Sequence, residues 1–283
     1  MTDKHSSRQP CDVSVMIFTL NEEMHLPSCL AALAWCDDVI VVDSFSSDRT
    51  AEIGTAAGAR FFQNRFTGFG DQRNWALQHC GPRHEWVLIL DADERVTPEL
   101  VDEFRTRLPL VAAEIGAFRL RRRFHMWGRW LRYSSLYPTW VVRLIHRDRV
   151  RYVNRGHAET QEVDGTIVNL HNDLIDENLK GIDEWFERQN RYSSQEAEFE
   201  LAQESTPLRW SLLLSGDALA RRAFLKLLAA RLPFRPALYF IYSYVLRLGF
   251  LDGRHGLVFC QMKAAYQRMV VAKKFDLRSR RTE

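Results

Sequence analysis

The chain has 5 cysteines in 283 residues, an odd number, and no CxxC pair among them. Cys11, Cys29, Cys36, Cys80 and Cys260 therefore offer neither a disulfide framework nor a zinc site, and they point to a reducing compartment. No apolar run approaches the roughly 18 residues needed to cross a bilayer. The first residues, Met1 to Pro10, have no apolar core and do not read as a signal peptide; residues 1–11 are expected to be a disordered lead. Phosphate-binding loops are also missing. There is no Walker A sequence, no GxGxxG follows the first apolar strand, and Gly68-Phe69-Gly70 is too short a match. The loop after that strand, Thr19-Leu20-Asn21-Glu22-Glu23, is acidic and free of glycine, whereas a sugar nucleotidyltransferase would be expected to carry a basic, glycine-rich one there.

What is present is an apolar fraction of 46% and a net charge of +3 that hides a strong asymmetry. Residues 205–283 hold 15 Lys and Arg against 4 Asp and Glu; residues 1–204 are net acidic. An acidic front and a basic rear imply different partners, and a basic rear suits an anionic lipid surface or nucleic acid. No nucleic-acid motif accompanies the charge, so no nucleic-acid partner is expected.

Strands are expected at Val13–Phe18, Asp38–Asp43, Ala59–Gln63 and Glu85–Leu90. Helices are expected over Glu22–Leu33, from an N-cap at Ser47 to Ala57, over Gly70–His79, and from the strong start Thr97-Pro98-Glu99. Such alternation implies an α/β fold with a largely parallel, doubly covered sheet. A β-rich section follows, with strands at Ile115–Leu120, Trp140–His146, Val150–Asn154 and Thr166–Leu170. From Lys180 to about Lys274 the pattern is helical. The domain reading is a catalytic domain over 12–175 and a basic helical region over 176–283.

Chemistry concentrates at strand ends, where open α/β sheets bind ligands. Trp86–Leu90 runs into Asp91-Ala92-Asp93-Glu94. Two carboxylates at that spacing, on one face of an extended chain, suit a hard divalent cation that also holds substrate phosphates; a polar strand end capping the next helix is the plain alternative. Asp43 at another strand end could accept from a base or ribose, and Arg73 in Asp71-Gln72-Arg73-Asn74 could pair with a phosphate. As plain alternatives, Asp43 and Asp71 are caps and Arg73 a solvated charge.

Four stretches in order, Val13–Glu23, Val41–Thr50, Gln72–Leu77 and Leu90–Glu94, resemble family 2 glycosyltransferases of the GT-A fold, a Rossmann-like mixed sheet that binds nucleotide-diphospho-sugars. The chain is most similar to the bacterial lipopolysaccharide-core branch typified by WaaE. The similarity continues through Arg143–His146, Gly156–Glu159, Arg188–Ala197 and Leu248–Gly253, and so covers most of residues 12–275. The resemblance implies inverting transfer of a hexose from a nucleotide-diphosphate sugar, with UDP-glucose or UDP-N-acetylglucosamine the first donors to try. It places Thr19, Asn21, Glu22 and Asp43 around the nucleoside and Arg73 near the diphosphate. Asp91 and Asp93 become the DxD element holding Mg2+ or Mn2+, with Asp93 the more direct contact.

Inversion requires a base opposite the leaving group. The resemblance points to Glu159, with Glu162 and Asp176 as weaker candidates. Many relatives read His-Glu where this chain has Ala158-Glu159, so His157, one position earlier, is a possible substitute that would point the other way on a strand. Trp127, Arg143, His157 and His171 are candidate acceptor contacts, and His171 is alternatively a metal-side ligand. Arg121-Arg122-Arg123 with Trp127–Trp130 could hold an acidic or phosphorylated sugar.

In the basic rear, Trp210–Leu214, Phe224–Ala230 and Ala237–Leu246 alternate with Arg221, Arg222, Lys226, Arg231 and Arg235. Apolar helical faces flanked by arginines fit an interfacial helical extension lying on an anionic leaflet. The alternative is a helical cap with a basic outer face. The resulting expectation is a peripheral enzyme at the cytoplasmic face of the bacterial inner membrane, acting on a lipid-linked glycan. A polyprenyl-phosphate glycosyltransferase and a non-catalytic nucleotide-sugar-binding scaffold are the competing readings.

Overall fold

The computed structural model describes residues 11–155, 158–204, 207–214, 216, 218–232 and 234–282. His157 lies outside the described residues. The chain divides into two compact units, residues 1–132 with 137–180, and residues 133–136 with 181–283.

The first unit is built on a sheet of β1 (Val13–Thr19), β2 (Val39–Asp43), β3 (Arg60–Gln63), β4 (Trp86–Asp91), β5 (Glu94–Val96), β6 (Ile115–Met126), β7 (Arg129–Trp130), β8 (Thr139–His146) and β11 (Thr166–Glu177). A separate hairpin pairs β9 (Val150–Arg155) with β10 (Ala158–Val163). The order is β3-β2-β1-β4-β8-β6-β11-β5, with β7 on β6. The first four strands are parallel and β8 enters antiparallel between β4 and β6, which gives the mixed sheet. Helices α1 (Leu26–Ala31), α2 (Thr50–Ala56), α3 (Phe69–His79) and α4 (Pro98–Arg107) complete the unit.

The strands are apolar on both faces because both are covered, as parallel sheets require. One face buries Val15, Ile17, Leu88, Leu90, Phe118, Leu120, Leu144 and Leu174 with Leu26 of α1 and Leu100 and Phe104 of α4. The other buries Met16, Val87, Ile89, Ala117 and Ile145 with Ala76 of α3 and Tyr152 of the hairpin. Cys29 and Cys80 lie inside these layers, and burial pushes both thiols up, Cys80 to about 11. Cys11 is buried too and Cys36 half-buried; all five cysteines are free thiols.

Three expected boundaries are corrected. The first helix begins at Leu26 rather than Glu22, because the Glu22 and Glu23 amides donate to Thr50 Oγ1 (2.8 Å) and Asp48 Oδ2 (3.1 Å) instead of opening a helix. Ser47 does not cap α2; Asp48 Oδ1 accepts from the Thr50 amide at 3.0 Å. β6 and β11 run well past Leu120 and Leu170, so the arginine run is strand. Thr97 caps α4 as expected, accepting from the Leu100 amide at 3.3 Å.

The second unit is helical: α5 (Gly181–Ala202), α6 (Ala218–Ala229), α7 (Arg235–Phe240) and α8 (Gly253–Thr282), with a π-helical turn at Ile241–Leu246 between α7 and α8. Ala197 of α5 packs with Tyr266 and Val270 of α8. Glu200 ties the bundle together, pairing with Arg235 at 2.8 Å and Lys274 at 3.1 Å. Asp252 accepts from the Tyr133 amide at 3.0 Å and the Ser134 amide at 2.8 Å. No helix among the described residues is long and apolar enough to cross a membrane.

Candidate active site

The site lies in the first unit, where β4 ends. Asp91 closes the strand, but Ala92-Asp93 is a tight turn rather than continued extension, so the two aspartates do not simply share a strand face. Glu94 then starts β5, and its Oε2 accepts from the Asp91 amide at 3.0 Å, fastening the turn. β5 pairs with β11, which sets Asp176 opposite Glu94. Asp91, Asp93, Glu94 and Asp176 thus converge on one corner of the sheet.

Three arginines answer them. Arg143 from β8 is buried, and its Nη2 donates to Asp91 Oδ2 at 2.6 Å and to Glu94 Oε1 at 2.7 Å. Arg122 from β6 pairs with Asp176 at 3.0 Å. Arg73 from α3, 3% exposed, pairs through Nη2 with Asp91 Oδ1 at 3.0 Å and through Nη1 with Glu159 of the hairpin. Its guanidinium sits among the rings of Phe18, Phe69 and Tyr152, 5.5 to 5.9 Å from their centroids. Arg73 Nε and the Tyr152 hydroxyl are buried with no hydrogen-bond partner among the described residues.

Charge separates the carboxylates. Burial pushes Glu94 up to about 7; Arg143 opposes this, and Asp91 and Asp93 add to it. Burial and then the charge of Asp93 push Asp176 up to about 8, against the pull of Arg122. For Asp91 burial acts upward, yet Arg143 and Arg73 together hold it down at about 2. The two arginines thus favour the ionised form of Asp91, while burial and the crowding of negative charge favour the protonated forms of Glu94 and Asp176.

The nucleoside-side candidates occupy the loops after β1 and β2. Asp43 is fully buried and accepts from Thr19 Oγ1 (2.9 Å), Ser46 N (2.9 Å), Ser46 Oγ (2.5 Å) and Gln63 Nε2 (3.2 Å). Asn21, at φ 55°, accepts from the Ser47 amide at 2.8 Å and donates its own amide to Ser46 Oγ at 2.8 Å. Glu22 pairs with Lys180 at 2.6 Å and with His25 Nδ1 at 2.6 Å. The Leu179 amide donates to His25 Nε2 at 2.7 Å, so that nitrogen is unprotonated and Nδ1 carries the hydrogen toward Glu22. The two loops are thus laced together beside the β1 and β2 ends.

Asp91, Asp93, Arg73, Glu159, Arg143 and the weaker base candidate Asp176 come together; Trp127 and His171 do not join them. Arg143 is enclosed by carboxylates and presents no acceptor surface. His171 lies against α4, near Glu103 (3.3 Å) and Arg107 (3.1 Å). Trp127 is exposed in the β6–β7 turn. Sequence reasoning gave no role to Glu94 or Tyr152, and it set Arg122 among the acceptor-side arginines rather than on Asp176. The signal available was an acid directly after the Asp-Ala-Asp triplet and an arginine alternating with two others along a strand.

Residues 14–159 match the family described as Glycosyl transferase family 2. The chain belongs to that family. It is 28% identical over 272 residues, 90% of this chain and 92% of the relative, to the lipopolysaccharide core biosynthesis glycosyltransferase LpsC of Rhizobium meliloti. It is 35% identical over 92 residues, 32% of this chain and 31% of the relative, to an uncharacterized glycosyltransferase of Rickettsia bellii. Among solved structures, a mannosyltransferase from Pyrobaculum calidifontis in complex with GDP-Man and Mn2+ aligns with a TM-score of 0.52 at 16% identity, over 94% of this chain and 87% of that one. That likeness speaks to the fold, a GT-A mixed sheet. The chain is a glycosyltransferase.

Proposed function

We propose that the protein is an inverting hexosyltransferase that uses a nucleotide-diphosphate sugar, UDP-linked in the first instance, and a divalent cation to glycosylate a lipid-linked glycan. The supporting observation is that one buried side chain, Arg73, spans Asp91 and Glu159. Candidate leaving-group and base positions are thereby held a guanidinium's width apart.

The donor set fits a Mg2+ or Mn2+ ion. Asp93 and Asp91 supply hard oxygens at the strand end, and the carboxylate crowding that lifts Asp176 is what a cation would relieve. Among the described residues no three protein ligands gather in metal-binding geometry, so substrate oxygens would complete the shell, as for cations shared with phosphates. Such an ion would neutralise charge on the departing diphosphate. The protein's own groups do the rest. Arg143 fixes Asp91 through two carboxylates. Glu159 accepts the proton of the acceptor hydroxyl as that oxygen bonds to the anomeric carbon and the carbon–phosphate oxygen bond breaks on the opposite face. Arg73, released from Glu159 when the site fills, is free to remain on Asp91 and the diphosphate side.

The lipid-linked acceptor rests on the second unit and on the relative named for lipopolysaccharide core biosynthesis. Phe234 is 81% exposed, Leu246 69% and Trp210 61%, with Ile241, Val245, Phe250 and Leu251 also exposed and Arg209, Arg247 and Arg254 beside them. Exposed apolar groups among arginines fit a peripheral contact with an anionic leaflet, at the cytoplasmic face of the inner membrane.

Thermal melting with UDP-glucose and UDP-N-acetylglucosamine, with and without Mn2+, tests the donor half, since ligand binding to the folded state raises its stability. A cation-dependent rise is expected, lost in Asp93→Ala and kept in Glu159→Gln. Turnover should drop about 100- to 10,000-fold in Glu159→Gln. Full transfer by Glu159→Gln would displace the base, and no shift with any nucleotide sugar would sink the donor assignment.

A further inference from the structure

On the first unit, a second cluster stands apart from the carboxylate corner. Arg121 and Arg123 of β6 converge on one buried carboxylate, Asp173, at 2.7 and 2.5 Å. The Tyr137 hydroxyl donates to the same carboxylate at 2.9 Å. Trp130 and Tyr137 meet edge to face at 5.1 Å. The Arg123 guanidinium lies 5.1 Å and that of Arg132 5.4 Å from the centre of the Trp130 ring, and Arg121 lies 5.9 Å from that of Tyr137. The Trp130 indole N–H is buried with no hydrogen-bond partner among the described residues.

Placement relates this cluster to the transfer site. Phe118 pairs with Leu144, which pairs with Leu88. A register shift follows between Phe118 and Arg119, so three residues further along parallel-running β6 and β4, Arg121 and Asp91 stand about one residue out of level, two strands apart, roughly 10 Å at ordinary strand spacing. Ala117, Val87 and Ile89 lie in the same core layer, and alternation puts Arg121, Arg123 and Asp91 on that face. Arg122, between the two arginines, points the other way to Asp176.

Two arginines sharing one carboxylate keep a net positive charge, and guanidiniums over indole and phenol rings build a platform for a flat, anionic ligand. An aromatic ring with an adjacent unpartnered donor suits the face and hydroxyls of a sugar. We propose that Arg121, Arg123, Arg132, Trp130 and Tyr137 form an acceptor subsite for an anionic sugar, one bearing a phosphate or a carboxylate, with Arg121 two strands, roughly 10 Å, from Asp91. This deepens the glycosyltransferase reading and rests on it for the word acceptor; the binding claim stands separately.

Saturation-transfer NMR and calorimetry on the full chain test it, with mannose 6-phosphate, galacturonate, neutral mannose and galactose, and inorganic phosphate as probes. Both anionic sugars are expected to bind at least 10-fold more tightly than the neutral sugars and than phosphate alone. Arg123→Gln and the exposed-site variant Arg132→Gln should each weaken anionic binding about 10-fold while leaving the UDP-sugar melting shift intact. Asp93→Ala should leave anionic-sugar binding unchanged. Equal binding of neutral sugars, equal binding of bare phosphate, or anionic binding unmoved in both arginine variants overturns the subsite. If the donor shift is missing but anionic-sugar binding and its loss hold, the subsite stands and the UDP-sugar donor assignment falls.

Discussion

Asp176 shows how a single side chain can record the charge balance of the whole corner. Unfolded, an aspartate releases its proton near pH 4; folded, Asp176 keeps it to about 8. Between those values the folded chain binds more protons than the unfolded one, so stability falls as pH rises through the window. Glu94, raised to about 7, acts in the same direction. Asp176→Asn should melt close to the wild type near pH 4 and progressively higher toward pH 8.5, by about 2–4 °C per kcal/mol for a chain of this size. An unchanged pH slope in the variant would remove Asp176 from the account. Asp91 and Asp93 were legible because acids at the end of an apolar strand stand out against it. Glu94, Arg122 and Tyr152 were not, because their roles depend on a tight turn and on strand pairings that no local pattern encodes.

At the level of elements, the parallel strands and most helices were legible from apolar runs and the Thr97-Pro98 start. The far half of β6 was not. Three consecutive arginines read as a candidate sugar-holding run and not as strand, yet they are strand because β11 supplies Asp173 and Asp176 on alternate faces. Gly116 shows a similar dependence on distant neighbours. A Cβ there would meet Asp164 O at 2.6 Å and Val163 Cγ1 at 2.7 Å, at the end of the hairpin that carries Glu159. Gly116→Ala should therefore cost about 1–3 kcal/mol in denaturant unfolding. It should also slow transfer more than it weakens donor binding, because the strain falls on the hairpin that carries the proposed base, Glu159. Wild-type stability with impaired turnover, or the reverse, would break that link.

Considered whole, the molecule has an acidic unit that carries the glycosyltransferase family match and a basic helical unit rich in exposed apolar groups. The charge asymmetry was plain in the sequence, whereas the particular exposed residues were not, since amphipathic runs look alike whether they face a core or a lipid. Co-sedimentation with vesicles tests the lipid reading. Binding should require anionic lipid, decline as salt rises, and fall several-fold in Leu246→Glu. Equal binding to zwitterionic vesicles, or none to either, would count against it.

The buried thiols have a practical consequence. Cys11, Cys29 and Cys80 are enclosed in the first unit and Cys260 in the second. A soluble alkylating reagent can reach them only when the surrounding structure opens, so each labelling rate is a clock for local opening. Mass spectrometry of the labelled peptides would time the two units separately in one sample, without introducing a probe. Added nucleotide-sugar should slow the clock at Cys29 and Cys80 and leave Cys260 to report the helical unit by itself.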